Sequence, residues 1–280
     1  MGGVLQSVEP YSDCGPGDCR RSRVTVLGIP VDNLSMSAAV AAIVARLDRP
    51  RPSQVCFLNA DCVNLSHRDR PYLEVLRAAD LVLADGIGLK IAARAAGIRL
   101  RDNVNGTDLF PRLCQSLSDT GKSLFLLGAK PGVADAVCDW VARRHPGVAI
   151  AGCRHGYFSP AEEPMVVDEI AQSGADLLLV AFGSPRQDLW IHRHLGLLGV
   201  KVAMGVGGLF DFYSGRIPRA PVWMRKAGLE WLFRLTREPG RLWKRYLLGN
   251  PRFLARVAFD RAARTAASVA ARTPRRPGRD

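Results

Sequence analysis

The 280-residue sequence predicts an α/β fold, a mostly parallel sheet with flanking helices, followed by a basic amphipathic helical appendage. Three observations carry that expectation. Between Val24 and Met204, short β-branched or Leu-rich runs alternate with amphipathic stretches of helical length. Small, amide and carboxylate side chains collect where those runs end. Charge is split along the chain: residues 1 to 218 hold 23 Lys/Arg against 22 Asp/Glu, whereas residues 219 to 280 hold 16 against 4.

The expected strands are VTVLGI, QVCFLN, DLVLAD, SLFLLG, VAIAG, DLLLVAF and VKVAMG. Helices are expected between them: SMSAAVAAIVARLD after a Ser cap, GTDLFPRLCQSLSDTG capped by Thr107, PGVADAVCDWVARRH with Pro131 in its first turn, and SPRQDLWIHRHL capped by Ser184. This alternation is Rossmann-like and spans residues 24 to 217. Residues 1 to 23 read as a disordered leader. Residues 254 to 280 read as a basic tail, helical and then disordered over RTPRRPGRD, which offers too little apolar area to offset its ordering entropy.

Seven cysteines, odd in number and never spaced as CxxC, suggest neither a disulfide framework nor a zinc ribbon, so a reducing, cytoplasmic setting fits. The N-terminus lacks the apolar stretch of a signal peptide, and no apolar run approaches the ~20 residues that a membrane-spanning helix needs. His192 and His194 are two apart and face different ways on a helix, so no metal site and no cofactor are expected. The basic C-terminal quarter calls for a polyanionic partner.

Ligands of open parallel sheets bind beyond the carboxyl ends of the strands. There the sequence places Asn59, Asp61 and Asn64, then Asp85, Gly86 and Gly88, then Gly128 and Ala129 in GAKPG. Phe182, Gly183, Pro185 and Gln187 follow in FGSPRQD, and Gly207 and Asp211 in GVGGLFDF. Asp85 reads either as a carboxylate aimed into the crevice or as a cap on the next helix. The two glycine loops read as phosphate cradles or as tight turns; GxGxxG and Walker A are absent. Arg186 would be solvated or paired with phosphate.

The segment WMRKAGLEWLFRLTREPGRLWKRYLL, Trp223 to Leu248, carries seven Lys or Arg, two Glu, three Trp, a Phe and a Tyr. Pro239 should divide it into helices over roughly 222 to 237 and 239 to 248. Rings and Leu beside cations are the composition of a helix lying on an anionic membrane surface. A solvated amphipathic pair is the plainer alternative, and nucleic-acid signatures are missing.

Taken together, LNADCVNL, ADLVLADGIGL, NVNGTDLF, LLGAKPGVA, HGYF, ADLLLVAFGSPRQDLWI and the C-terminal run from GVGGLFDF onward resemble the WecG/TagA/CpsF glycosyltransferases, family 26, over about residues 24 to 253. The resemblance implies transfer of a hexose from a UDP-sugar to a saccharide on a polyprenyl diphosphate, at the inner face of the cytoplasmic membrane. By that resemblance Asp85 is the catalytic base, Asn59 a motif amide, Asn105 part of the NGTDL motif, and Gln187 with the GVGGLFDF loop the donor pocket. Arg225, Lys226, Arg234, Arg237, Arg241, Lys244 and Arg245 would serve the lipid diphosphate and the membrane. Phe57 stands where the family often has Thr, and Asn103 where some members have Arg, which suggests an exopolysaccharide branch. Two rival classes remain, a Rossmann-like enzyme using a nucleotide cofactor and a basic nucleic-acid-binding protein. Self-association into a homo-oligomer is left open.

Overall fold

The structure, a computed structural model, describes residues 23–272. Its centre is one eight-stranded sheet: β1 (Arg23–Val26), β2 (Ile29–Asp32), β3 (Ser53–Leu58), β4 (Leu81–Ala84), β5 (Ser123–Gly128), β6 (Ala149–Arg154), β7 (Leu177–Ala181) and β8 (Val202–Gly205). The spatial order is β1-β2-β4-β3-β8-β7-β5-β6, and every pairing is parallel except β1 with β2. The expected strand VTVLGI is therefore a hairpin. Leu27 (φ 51) and Gly28 (φ 78) both adopt the left-handed conformation, which turns the chain back in two residues.

Helices cover both faces. Side chains alternate across each strand, so Val55 and Phe57 of β3 enter one core while Cys56 and Leu58 enter the other. The first core receives α1 (Met36–Leu47), α5 (Gly106–Leu117), α6 (Val133–Arg144) and α9 (Leu209–Tyr213). The opposite face receives α2 (Ala60–Ser66), α3 (Arg70–Ala78), α4 (Ile87–Ala95), α7 (Glu163–Gln172) and α8 (Arg186–His194). Of these, α2, α3 and α7 fall where the periodicity gave no helix.

Two expected caps move. Asn105, not Thr107, caps α5, because its Oδ1 accepts the Asp108 amide hydrogen at 2.7 Å. At α8 the cap position is Pro185, and the Ser184 hydroxyl donates instead to the Asp188 carboxylate at 3.1 Å.

The C-terminal segment is helical but more broken than expected. Gly228 (φ +73) separates α10 (Val222–Lys226) from α11 (Glu230–Arg237). After α12 (Pro239–Trp243), a π-helical turn Lys244–Leu248 leads without interruption into α13 (Gly249–Arg272). The appendage boundary expected at residue 253 thus falls inside a continuous helix. Arg23, assigned to the leader, opens β1, and Arg272 of RTPRRPGRD closes α13; the rest of both expected disordered ends lies outside the described residues. The segment is also part of the core rather than a loose arm. Ala220, Leu242, Phe253 and Val257 are buried, and Phe253 lies against α4 where Gly88 leaves room for its ring.

Candidate active site

The five chemistry-bearing strand ends converge on one crevice, and the C-terminal helices roof it into two cavities. The larger, about 890 Å³, lies over the ends of β5, β7 and β8; the smaller, about 330 Å³, over β3 and β4. Asp61 and Arg245 line both, and Arg245 Nε stands 3.2 Å from Asp61 Oδ2. An ion pair between α2 and the π-helical turn is therefore the partition. Burial opposes the charge on Arg245, but Asp61 foremost, then Tyr246, Cys62 and Asp85, more than offset it.

Asp85 forms the floor of the smaller cavity. Its backbone amide donates to Leu58 O, extending the β3–β4 ladder by one residue, and Gly86 (φ 93) then bends the chain so that α4 starts at Ile87. The Gly86 amide donates to Asn103 Oδ1. Loss of water around its carboxyl lifts Asp85 from 3.8 to about 6, against the lowering pull of the Arg245 charge, a hydrogen bond from Asn59 and the more distant Arg234. Asn59 can serve both neighbours because its Oδ1 caps α2, accepting from the amides of Asp61 and Cys62, while its amide nitrogen is left for Asp85. The capping alternative for Asp85 does not hold: the cap position of α4 is Gly86, and no side chain caps the helix.

Three cations of the C-terminal helices face this cavity. Arg234 lies over the Phe212 ring at 5.1 Å, and Arg225 pairs with Asp108 at 3.4 Å. Arg219, outside the wall, bonds the same Asp108 oxygen at 2.8 Å and reaches Glu230 at 3.7 Å. Burial alone would raise Asp108, but hydrogen bonds from Asn105 and Arg219 and the charges of Arg219 and Arg225 bring it below the usual carboxylate range. The N-terminus of α5 is thereby clamped to α10 and α11.

The larger cavity is bounded by glycine turns and by cations. Gly128 (φ 133) passes so close to β7 that an added Cβ would meet Ala181 backbone atoms at 2.7 to 2.8 Å. Gln187, buried, accepts from the amides of Gly183 at 3.0 Å and Gly207 at 2.9 Å, tying two loops together. Lys130, Arg216, Lys244, Arg245 and Arg252 line the cavity, and the Tyr157 ring stands at its edge, 64% exposed.

The fate of each expected residue follows. Ala129, Phe182, Gly183, Gly207, Asp211 and Lys244 line the larger cavity. Asn59, Asp85, Gly86, Asn105, Arg225 and Arg234 line the smaller. Gly128, Pro185 and Gln187 shape the turns without forming the wall, since their atoms are spent on backbone neighbours. Arg186 lies over the Phe182 ring, and Arg237 is exposed beside Phe233. The side chains of Lys226 and Arg241 lie outside the described residues. The sequence reading passed over Lys130, Tyr157 and Arg216, and over Glu230, Trp231 and Tyr246 of the smaller cavity, whereas Asn103, noted there as a departure from the family pattern, lines that cavity. Lys130 and Tyr157 sit in GAKPG and HGYF, so their signal was in plain view.

A roofed crevice at the strand ends, with carboxylates and cations in both chambers, belongs here to a glycosyltransferase. Residues 24–267 match the family model described as "Glycosyl transferase WecG/TagA/CpsF family", and the chain belongs to that family. A Bacillus subtilis relative named N-acetylglucosaminyldiphosphoundecaprenol N-acetyl-beta-D-mannosaminyltransferase is 32% identical over 234 residues, 83% of this chain and 90% of its own. A Bacillus spizizenii protein of the same name is 38% identical over 211 residues, 75% of this chain and 80% of its own. Among solved structures, a Vibrio cholerae nicotinate phosphoribosyltransferase overlaps with a TM-score of 0.23 at 16% identity, covering 69% of this chain and 48% of that one, and contributes nothing to the reading.

Proposed function

We propose that the protein moves a hexose from a UDP-sugar to a saccharide carried on a polyprenyl diphosphate, in exopolysaccharide or other cell-surface polysaccharide assembly. The observation that carries this reading is the position of Arg245 in the wall of both cavities. The larger cavity takes the donor: glycine turns admit the diphosphate closely, and Lys130, Arg216 and Lys244 meet its charge. Tyr157 offers an exposed face for the base. The smaller cavity takes the acceptor sugar, with Asp85 at its hydroxyl.

The reaction is a single displacement with inversion. As the acceptor oxygen attacks the anomeric carbon, Asp85 accepts its proton, the glycosidic bond to phosphate breaks, and UDP leaves with the bonding pair. Charge growing on that phosphate falls to Arg245 and the lysine and arginine side chains around it, so no protein-held metal is required. The names of the two Bacillus relatives support an acceptor carried on undecaprenyl diphosphate and N-acetylmannosamine as the transferred sugar. Phe57 does not reach the donor, since it is buried beneath Gly106 of α5. Asn103 does line the acceptor cavity, so of the two departures from the family pattern only this one bears directly on substrate.

Membrane association follows from the roof. Trp223 and Trp243 are 65% and 41% exposed, and Leu247 and Leu248 are exposed beside Lys244. Among the described residues no helix is long and apolar enough to cross a membrane, so contact would be peripheral.

The test is transfer from a panel of UDP-sugars to a synthetic lipid-diphosphate acceptor, with Asp85→Asn alongside. Turnover by the parent protein, a fall of roughly 10²- to 10⁴-fold in the variant and retained UDP binding are expected. Equal turnover by Asp85→Asn would remove the base.

A further inference from the structure

A third concavity opens from the acceptor side of the site. It is a groove of about 750 Å³ between α4 and α13, and Ile91 and Leu254 line both it and the Asp85 cavity. Beyond those two residues its wall is almost entirely aliphatic, with Ala95, Val257, Ala258 and Ala262 along it. Arg261 is the one charge in that wall. Ala258, Ala262 and Ala266 follow Leu254 at successive i, i+4 positions, so along that row three turns of α13 present methyl groups, flanked by Arg261 and Thr265, and the groove stays open. From Leu254 to Ala266 it extends for roughly 18 Å at the helical rise per residue. Leu254 and Ile91 are 48% and 44% exposed in it.

We propose that this groove holds the first isoprene units of the acceptor's polyprenyl chain. The inference rests on the reaction proposed above. An acceptor whose hydroxyl meets Asp85 and whose diphosphate meets Arg225, Arg234 and Arg245 must carry its hydrocarbon out of the same cavity. The protein offers a carboxylate and guanidinium groups in one cavity and an aliphatic channel opening from it, and the acceptor has a hydroxyl, a diphosphate and a prenyl chain. The exit lies against Leu254 and Ile91. A chain seated there covers side chains that otherwise face water.

The experiment compares two acceptors that share a saccharide diphosphate, one with a long prenyl chain and one with a methyl ester, on the parent protein and on the double variant Ala258→Phe/Ala262→Phe. Filling the groove should raise KM for the prenyl acceptor by roughly tenfold or more, the loss of about two buried methylenes, and leave the methyl acceptor's kcat/KM unchanged. Unchanged KM for both acceptors overturns the proposal. So does a parallel loss with both, or a parent dimer that the variant dissociates, because the groove then serves the fold or a second copy. If the parent glycosylates neither acceptor, the proposed reaction fails instead. A prenyl diphosphate with a diazirine at its far end then decides the groove alone: crosslinks to α4 and α13 sustain it, and crosslinks elsewhere or none refute it.

Discussion

Asp85 shows what burial does to one carboxyl. Lifted from 3.8 to about 6, it is a stronger base than an exposed aspartate yet largely ionised at neutral pH. Turnover should therefore rise with pH and level off above about 6; a flat profile between pH 5 and 7 would count against Asp85 as the base. Because the folded protein holds this proton more tightly than the unfolded chain, the contribution of Asp85 to stability is fullest below about 4 and is lost as pH climbs through about 6. Asp85→Asn should remove that loss, gaining on the order of 2 kcal/mol at pH 7 and nothing at pH 3.5 by chemical denaturation. The aspartate was legible in the sequence because it ends an apolar run ahead of two glycines. Its partner Arg245 was legible only as one cation among seven. Its place in the wall of both cavities, paired with Asp61, comes with the π-helical turn, a feature without a periodic signature.

Among the elements, α10 and α11 depend on charge more than on area. No side chain of α11 is fully buried, and α10 is five residues long. Asp108 holds both by pairing with Arg219 and Arg225. Asp108→Ala removes the carboxylate that Arg219 and Arg225 share and should cost about 1 to 3 kcal/mol. Hydrogen exchange should accelerate over residues 219 to 237 while the sheet keeps its protection; unaltered exchange there would mean that apolar packing holds the roof. The proposed membrane contact belongs to the same elements. Deleting residues 219 to 280 tests it poorly, since Leu242, Phe253 and Val257 are core residues. Trp223→Ser with Trp243→Ser leaves the core alone and should cut co-sedimentation with anionic liposomes severalfold; undiminished sedimentation would exclude those rings as the anchor. The helix period was readable for α1, α5, α6 and α8 from their spacing. It was not for α2 and α3, which are seven and nine residues long and separated by a short turn.

For the molecule as a whole, the sequence by itself determined the α/β class, the strand ends that would matter and the family. Those depend on local alternation, on glycine and amide residues at fixed offsets, and on motifs in a set order. Only the tertiary structure decided that the basic segment is a roof with buried anchors. Only it decided that Gln187 braces two loops, and that one ion pair divides the crevice. Such outcomes turn on contacts between residues far apart in the chain: Asp61 with Arg245, Asp108 with Arg219, Gly88 with Phe253. Periodicity reports which face of an element is apolar; it carries no information about which distant element will cover that face.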